Sequence, residues 1–130
     1  MSDKAPTRIL YIDDDAGIRR LVQKQLERYG YTVETATCGA DGLLRLGEQE
    51  FDLIALDHYM EGKDGLATLT EIRKRPNPPP VVYVTGTTEG RVAIAALKAG
   101  AADYVVKDVS GTFLPLLRAA IESSLAAREL

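Results

Sequence analysis

Four short apolar runs and one alternating run constrain this chain more than any other feature: each of the four stops at a polar residue, and a longer stretch with helical spacing follows every run. Ile9-Leu10-Tyr11-Ile12 gives out at Asp13-Asp14-Asp15. Ile18, Leu21, Val22, Leu26 and Tyr29 then recur at helical spacing, and Gly30 is a natural stop. Tyr31 to Ala36 reads as a second strand, and Ala40 to Glu48 as a helix with Leu43 and Leu44 inward. Leu53 to Leu56 is the third strand, ending in Asp57. A loop from His58 to Asp64 leads to a helix with Leu66, Leu69 and Ile72 inward. Pro76-Asn77-Pro78-Pro79-Pro80 cannot be helical and must connect. Val81 to Val84 is the fourth strand, ending in Thr85-Gly86, and Arg91 to Ala99 is a helix capped by Gly100. Tyr104 to Val106 is the fifth strand, ending in Lys107, and Thr112 to Leu130 is a long last helix. Pro115 is tolerable there because the first turn has free N–H groups anyway. Continuous apolar strands alternating with helices imply a parallel sheet covered on both faces.

A length of 130 residues suits one domain, 1–130, and can bury a core without disulfides. A net charge of -3 argues against a grip on nucleic acid built on bulk positive charge. Cys38 is the single cysteine, which reads as a loop thiol and fits a reducing cytoplasm. No apolar run approaches the roughly 20 residues that span a bilayer, and the polar first residues lack the apolar core of a signal peptide.

The polar residues where strands end are not scattered. In an open parallel sheet all strand C-termini share one edge, and ligand sites form there, where strand order reverses. Asp13, Asp14, Asp57, Thr85 and Lys107 would thus meet in one small volume. Three close carboxylates repel, and at least one pKa rises. A hard divalent cation, Mg2+ or Mn2+, relieves this. A carboxylate beside such a cation is a plausible nucleophile toward phosphorus, giving an acyl phosphate. Phosphoryl transfer needs positioning and charge neutralisation more than acid–base help, and Lys107 and Thr85 suit those tasks. Taken singly, each residue has a blander reading. Asp13 to Asp15 could only start a helix, Asp57 could form a turn, and Lys107 could be solvated. His58, the only histidine, reads as a solvated side chain pointing away from Asp57, and Tyr104 as partly packed.

With Asp13-Asp14 after the first strand, Leu56-Asp57 after the third, Thr85-Gly86 after the fourth, and Tyr104 then Lys107 on the fifth, the chain resembles the receiver domains of two-component signalling. The resemblance runs from about Arg8 to Ala127. It implies a flavodoxin-like three-layer α/β sandwich with five parallel strands in the order 2-1-3-4-5. It implies that Asp57 is phosphorylated by a partner histidine kinase or phosphotransfer protein. It also implies direct Mg2+ ligation by Asp14, Asp57 and the Tyr59 carbonyl, with Asp13 acting through water. Lys107 would pair with the phosphoryl group, and Thr85 and Tyr104 would be the switch pair that reshapes the helix 4, strand 5 and helix 5 surface for a downstream effector. A homodimer face on the last helix is a further expectation. Such a domain is not an enzyme toward other substrates.

The chain departs from the family's usual pattern at two places. Met60 precedes Glu61 where a proline is common, and Lys107 precedes Asp108 where Lys-Pro with a cis bond is common. A cis bond before a non-proline residue costs about 2.5–4 kcal/mol, so a trans bond or a strained loop is expected, with the placement of the last helix in question. A last helix running to the C-terminus would serve as a connector in a longer protein. Tyr59 with Thr87 is expected to slow loss of the phosphoryl group. The alternative reading is a receiver-like module that only binds proteins, and the intact acid cluster argues against it. An aspartate-nucleophile phosphatase needs a second acid two residues after the nucleophile, where Tyr59 stands.

Overall fold

The computed structural model describes residues 5–60, 64–86, 90–108 and 111–128. Strands and helices alternate throughout: β1 Arg8–Ile12, α1 Ala16–Arg28, β2 Thr32–Ala36, α2 Gly39–Glu48, β3 Leu53–Asp57, α3 Gly65–Arg73, β4 Val81–Thr85, α4 Gly90–Lys98, β5 Asp103–Val106 and α5 Phe113–Arg128. The five strands form one parallel sheet in the order β2-β1-β3-β4-β5. The apolar runs require this arrangement. Successive strand residues face opposite sides, so an unbroken run must be covered twice. One side of the sheet buries Ile9, Tyr11, Leu53, Ala55, Val82 and Val84 with α1 and α5 residues, including Val22, Leu26, Phe113, Leu117 and Ile121. The other buries Leu10, Ile12, Ile54, Leu56, Val81 and Tyr83 with Leu69, Ile72 and Ala96 of α3 and α4.

Helix ends match the turn chemistry. Asp15 caps α1 by accepting from Ile18 N, and Asp64 caps α3 by accepting from Ala67 N. Gly30 and Gly100 follow their helices at φ of 93° and 107°, a left-handed region open to glycine.

Two helices depart from the expected inner faces. Leu44 is 63% exposed rather than inward. The α2 contact is made by Gly39, Gly42, Leu43 and Leu46, and each helical step turns about 100°, which carries Leu44 off that face. Leu21 and Tyr29 are also exposed, and the Arg118 guanidinium lies 3.5 Å from the centroid of the Tyr29 ring.

The departure at Asp108 does not displace the last helix. The described residues contain no cis peptide bond. Lys107 N donates to Thr85 O at 2.8 Å, continuing the β4–β5 pairing beyond the strand. Helix α5 begins at Phe113 and runs to Arg128, and the last two residues of the expected span lie outside the described residues.

Gly65 fixes where α3 meets the edge of the sheet. A Cβ there would lie 2.5 Å from the Tyr83 hydroxyl oxygen, 2.7 Å from the Asp57 carbonyl oxygen and 2.9 Å from His58 Cα. Two of these atoms are backbone and have no room to yield. Gly65→Ala is therefore expected to cost about 1–3 kcal/mol of stability, read as a lower urea midpoint. A midpoint equal to that of the parent chain contradicts this packing.

Candidate functional site

The strand order places the reversal between β1 and β3, since the chain leaves β1 toward β2 on one side and enters β3 on the other. Asp13 follows β1 directly, and Asp57 closes β3. These two carboxylates therefore flank the crevice where such sheets bind ligands. Ligand oxygens of Asp13, Asp14 and Asp57 all lie within 4.8 Å of one another, with Asp13 and Asp57 buried and Asp14 exposed. Three hard oxygen donors, one open to solvent, suit a cation such as Mg2+ that keeps part of its water shell.

Lys107 ties the pocket together. Its Nζ lies 3.1 Å from Asp13 Oδ2 and 3.0 Å from Asp57 Oδ1. Burial alone would lower the ammonium's pKa, but the facing carboxylates of Asp57 and Asp13 outweigh it and raise the pKa. Thr85 is buried at the end of β4. The structure thus brings Asp13, Asp14, Asp57 and Lys107 together, with Thr85 closing the neighbouring strand.

Other residues fall differently. Tyr104 is 42% exposed, the rest of its surface being covered. It stands on the edge strand, above a shallow apolar groove between β5 and the Leu116, Ala119 and Ala120 face of α5. Tyr59 is exposed, and its ring meets His58 edge-on with centroids 4.8 Å apart. Thr87 lies outside the described residues. His58 does point away from Asp57, but it is buried and not solvated. Its Nδ1 lies 2.7 Å from the Tyr83 hydroxyl oxygen. The side of β3 that carries His58 is covered by α3 and α4, and the buried imidazole takes a tyrosine partner there.

Three groups went unnoticed in the sequence. The Tyr11 hydroxyl donates to Asp13 Oδ2 at 2.7 Å, Asp15 N donates to Asp13 Oδ1 at 3.0 Å, and an Arg19 N–H donates to the Asp13 carbonyl at 2.8 Å. Burial and then the Asp13 carboxylate push the Tyr11 pKa up, so its hydroxyl stays protonated. One signal was available: a tyrosine inside an otherwise aliphatic strand must find a partner for its hydroxyl. The Asp13–Asp15 run divides its labour, with Asp15 serving as the helix cap and Asp13 and Asp14 facing the pocket.

The chain is thus a doubly wound α/β domain with an acid pocket at its topological switch point, closed by a lysine beyond the last strand. The chain belongs to the response regulator receiver domain family, whose model matches residues 9–118. It is 41% identical over 106 residues, 82% of its length, to the transcriptional regulatory protein AfsQ1 of Streptomyces coelicolor. It is 36% identical over 118 residues to the transcriptional regulatory protein ZraR of Salmonella typhimurium. The chain spans 47% and 26% of these two relatives, so it corresponds to one part of each. Among solved structures, a CheY-like receiver domain protein from Methanospirillum hungatei matches with a TM-score of 0.87 at 29% identity, covering 96% of this chain and 98% of that one. TrrA of Thermotoga maritima, solved in complex with Mg2+ and BeF, matches with a TM-score of 0.79 at 30% identity over 91% of this chain and 98% of its own.

Burial, and then the neighbouring Asp13 carboxylate, raise the Asp57 pKa from 3.8 to about 6, although Lys107 pulls it down. The native state therefore binds this proton more tightly than the unfolded chain does. Its contribution to stability is greatest below about pH 4 and falls as pH rises to about 6, then stays low. In EDTA, Asp57→Asn should flatten that fall and stabilise the fold at pH 7 by on the order of 2 kcal/mol. A variant less stable than the parent chain at pH 7 contradicts the expected charge strain.

Proposed function

We propose that this receiver domain is a phospho-acceptor switch in which Asp57 takes a phosphoryl group from the phosphohistidine of a partner kinase or phosphotransfer protein. The observation that carries the reading is the Lys107 ammonium, within 3.1 Å of both Asp13 and Asp57 at the switch-point crevice. An Asp57 carboxylate oxygen attacks phosphorus, the P–N bond breaks, and the imidazole leaves with the electron pair. Lys107 already contacts the attacking carboxylate and is placed to follow the charge onto the new phosphoryl oxygens. When bound by Asp14, Asp57 and the Tyr59 carbonyl, with Asp13 acting through water, Mg2+ or Mn2+ supplies further neutralisation of oxygen charge. The Mg2+ and BeF held by TrrA support this reading of the pocket.

A phosphoryl group adds about 1.5 to 2 negative charges and three acceptors. Thr85 moves to bond one of those oxygens, and the exposed Tyr104 ring turns inward beside β4. The α4–β5–α5 surface changes for a downstream effector domain or protein, or for a second copy of the chain. Phosphorylation shifts the balance only by its differential affinity for the two states. Helix α5 serves as a connector where the domain is part of a longer protein. The domain catalyses only its own phosphorylation and dephosphorylation, acts in the cytoplasm and binds no nucleic acid directly. No helix among the described residues is long and apolar enough to cross a membrane.

Acetyl phosphate with Mg2+ should add one phosphoryl group, seen by intact mass or phosphate-affinity gel. The addition should vanish in Asp57→Asn or in EDTA. Labelling that survives Asp57→Asn would falsify the acceptor assignment. Exposed Tyr59 stands two residues beyond Asp57, beside the path of an attacking water, and Thr87 is assigned to the same shield. Tyr59→Asn should shorten the phosphoryl half-life several-fold in a single-turnover decay, and an unchanged half-life argues against shielding.

A further inference from the structure

The Tyr11 hydroxyl donates to the acid pocket from inside a strand. Tyr11 belongs to β1, and its ring is fully buried in the core beneath α1 and α5. Its hydroxyl reaches the end of the strand and donates to Asp13 Oδ2 at 2.7 Å. Lys107 Nζ donates to the same oxygen at 3.1 Å, and Asp15 N donates to Oδ1 at 3.0 Å. A carboxylate offers about four lone-pair sites, two on each oxygen. Oδ2 thus takes two donors, and Oδ1 takes the Asp15 N–H. Asp13 is also anchored through its main chain, with its N–H donating to Ala36 O at 3.1 Å and its carbonyl accepting from Arg19 at 2.8 Å.

We propose that Tyr11 is a positioning residue that limits how strongly the pocket holds a divalent cation, because its hydroxyl occupies a lone pair of Asp13 that a cation-bound water would otherwise draw on. The inference rests on the reading of the pocket as a Mg2+ site. A hydrogen bond to an ionised carboxylate is among the stronger ones in a folded protein, and it weakens when a nearby cation draws the carboxylate's charge away. Removing the hydroxyl therefore harms the cation-free state more than the loaded one. Loss of preorganisation would act in the opposite direction. It is the smaller effect here, since Asp15 N, Lys107, Ala36 O and Arg19 all still hold Asp13. The geometry also gives Tyr11 a second task. When Lys107 follows charge onto a phosphoryl group, the Tyr11 hydroxyl is the side-chain donor that stays on Asp13 Oδ2.

The test is calorimetric titration of the full chain with Mg2+ alone, together with thermal melts in EDTA and in saturating Mg2+. Tyr11→Phe keeps the ring and should bind Mg2+ about three- to tenfold more tightly, part of the strength of a charged hydrogen bond at tenfold per 1.4 kcal/mol. It should also melt lower than the parent chain in EDTA and recover more of that loss when Mg2+ is added. A merely structural hydroxyl would lower both melts equally, and that result, or an affinity unchanged or weakened, overturns the proposal. Tyr11→Leu fits a strand of aliphatic neighbours and carries the same expectation if the phenylalanine variant does not fold. Tyr83→Phe removes a buried hydroxyl that bonds His58 instead of Asp13, and an equal rise in affinity there also overturns it. If the parent chain takes up no Mg2+, the reading of the pocket fails and this inference falls with it. If the parent binds and the variants match it, only this inference fails.

Discussion

The Lys107 bridge to Asp13 and Asp57 is the interaction on which this structure most depends. Two buried carboxylates side by side are costly unless a cation stands between them. The parallel sheet makes their meeting unavoidable, because it delivers every strand end to the same edge. The fold therefore generates a charge problem, and the first turn beyond β5 carries the residue that eases it. The easing is partial, since Asp57 remains raised to about 6 despite the ammonium. A carboxylate so placed is stabilised by anything that brings positive charge or takes its negative charge elsewhere.

The supports around this bridge come from several levels of the structure. Tyr11 reaches up from the core, Asp15 folds a helix cap against Asp13, and Gly65 lets α3 approach the Asp57 carbonyl closely. On the far side of β3, the His58 and Tyr83 side chains pair within a helix-covered layer. Successive residues 57 and 58 thus anchor the strand end in opposite directions, one by charge and one by a hydrogen bond to Tyr83. The pocket is held by the same packing that stabilises the domain, so changes there alter stability and chemistry together.

The architecture was legible in the sequence because it follows from periodicity. Unbroken apolar runs specify strands covered twice, and the polar residue ending each run marks the functional edge. Asp13, Asp14, Asp57 and Lys107 could be placed together on that ground. What escaped depends on exact direction and neighbours. Leu43 and Leu44 look alike in composition, yet one helical step separates a packed side chain from an exposed one. Glycines carry the close face of α2, and an apolar pattern does not register them. His58 looked like a solvated residue because a polar side chain gives no sign of which partner waits across the sheet. Tyr104 sits on an edge strand, where a two-residue period cannot tell how far a helix covers it.

The burial of the strands has a mechanical consequence. All five residues of β3 are buried, and all five of β4, whereas β5 is buried at one of its four positions. Stiffness in a packed interior follows from how many neighbours must move together. Asp57 is therefore mounted on the rigid centre of the sheet, and the more compliant rims, β5 on one side and β2 on the other, lie two strands away. A load applied at Asp57 thus meets little give in its own strand and has more to yield at the edges of the sheet.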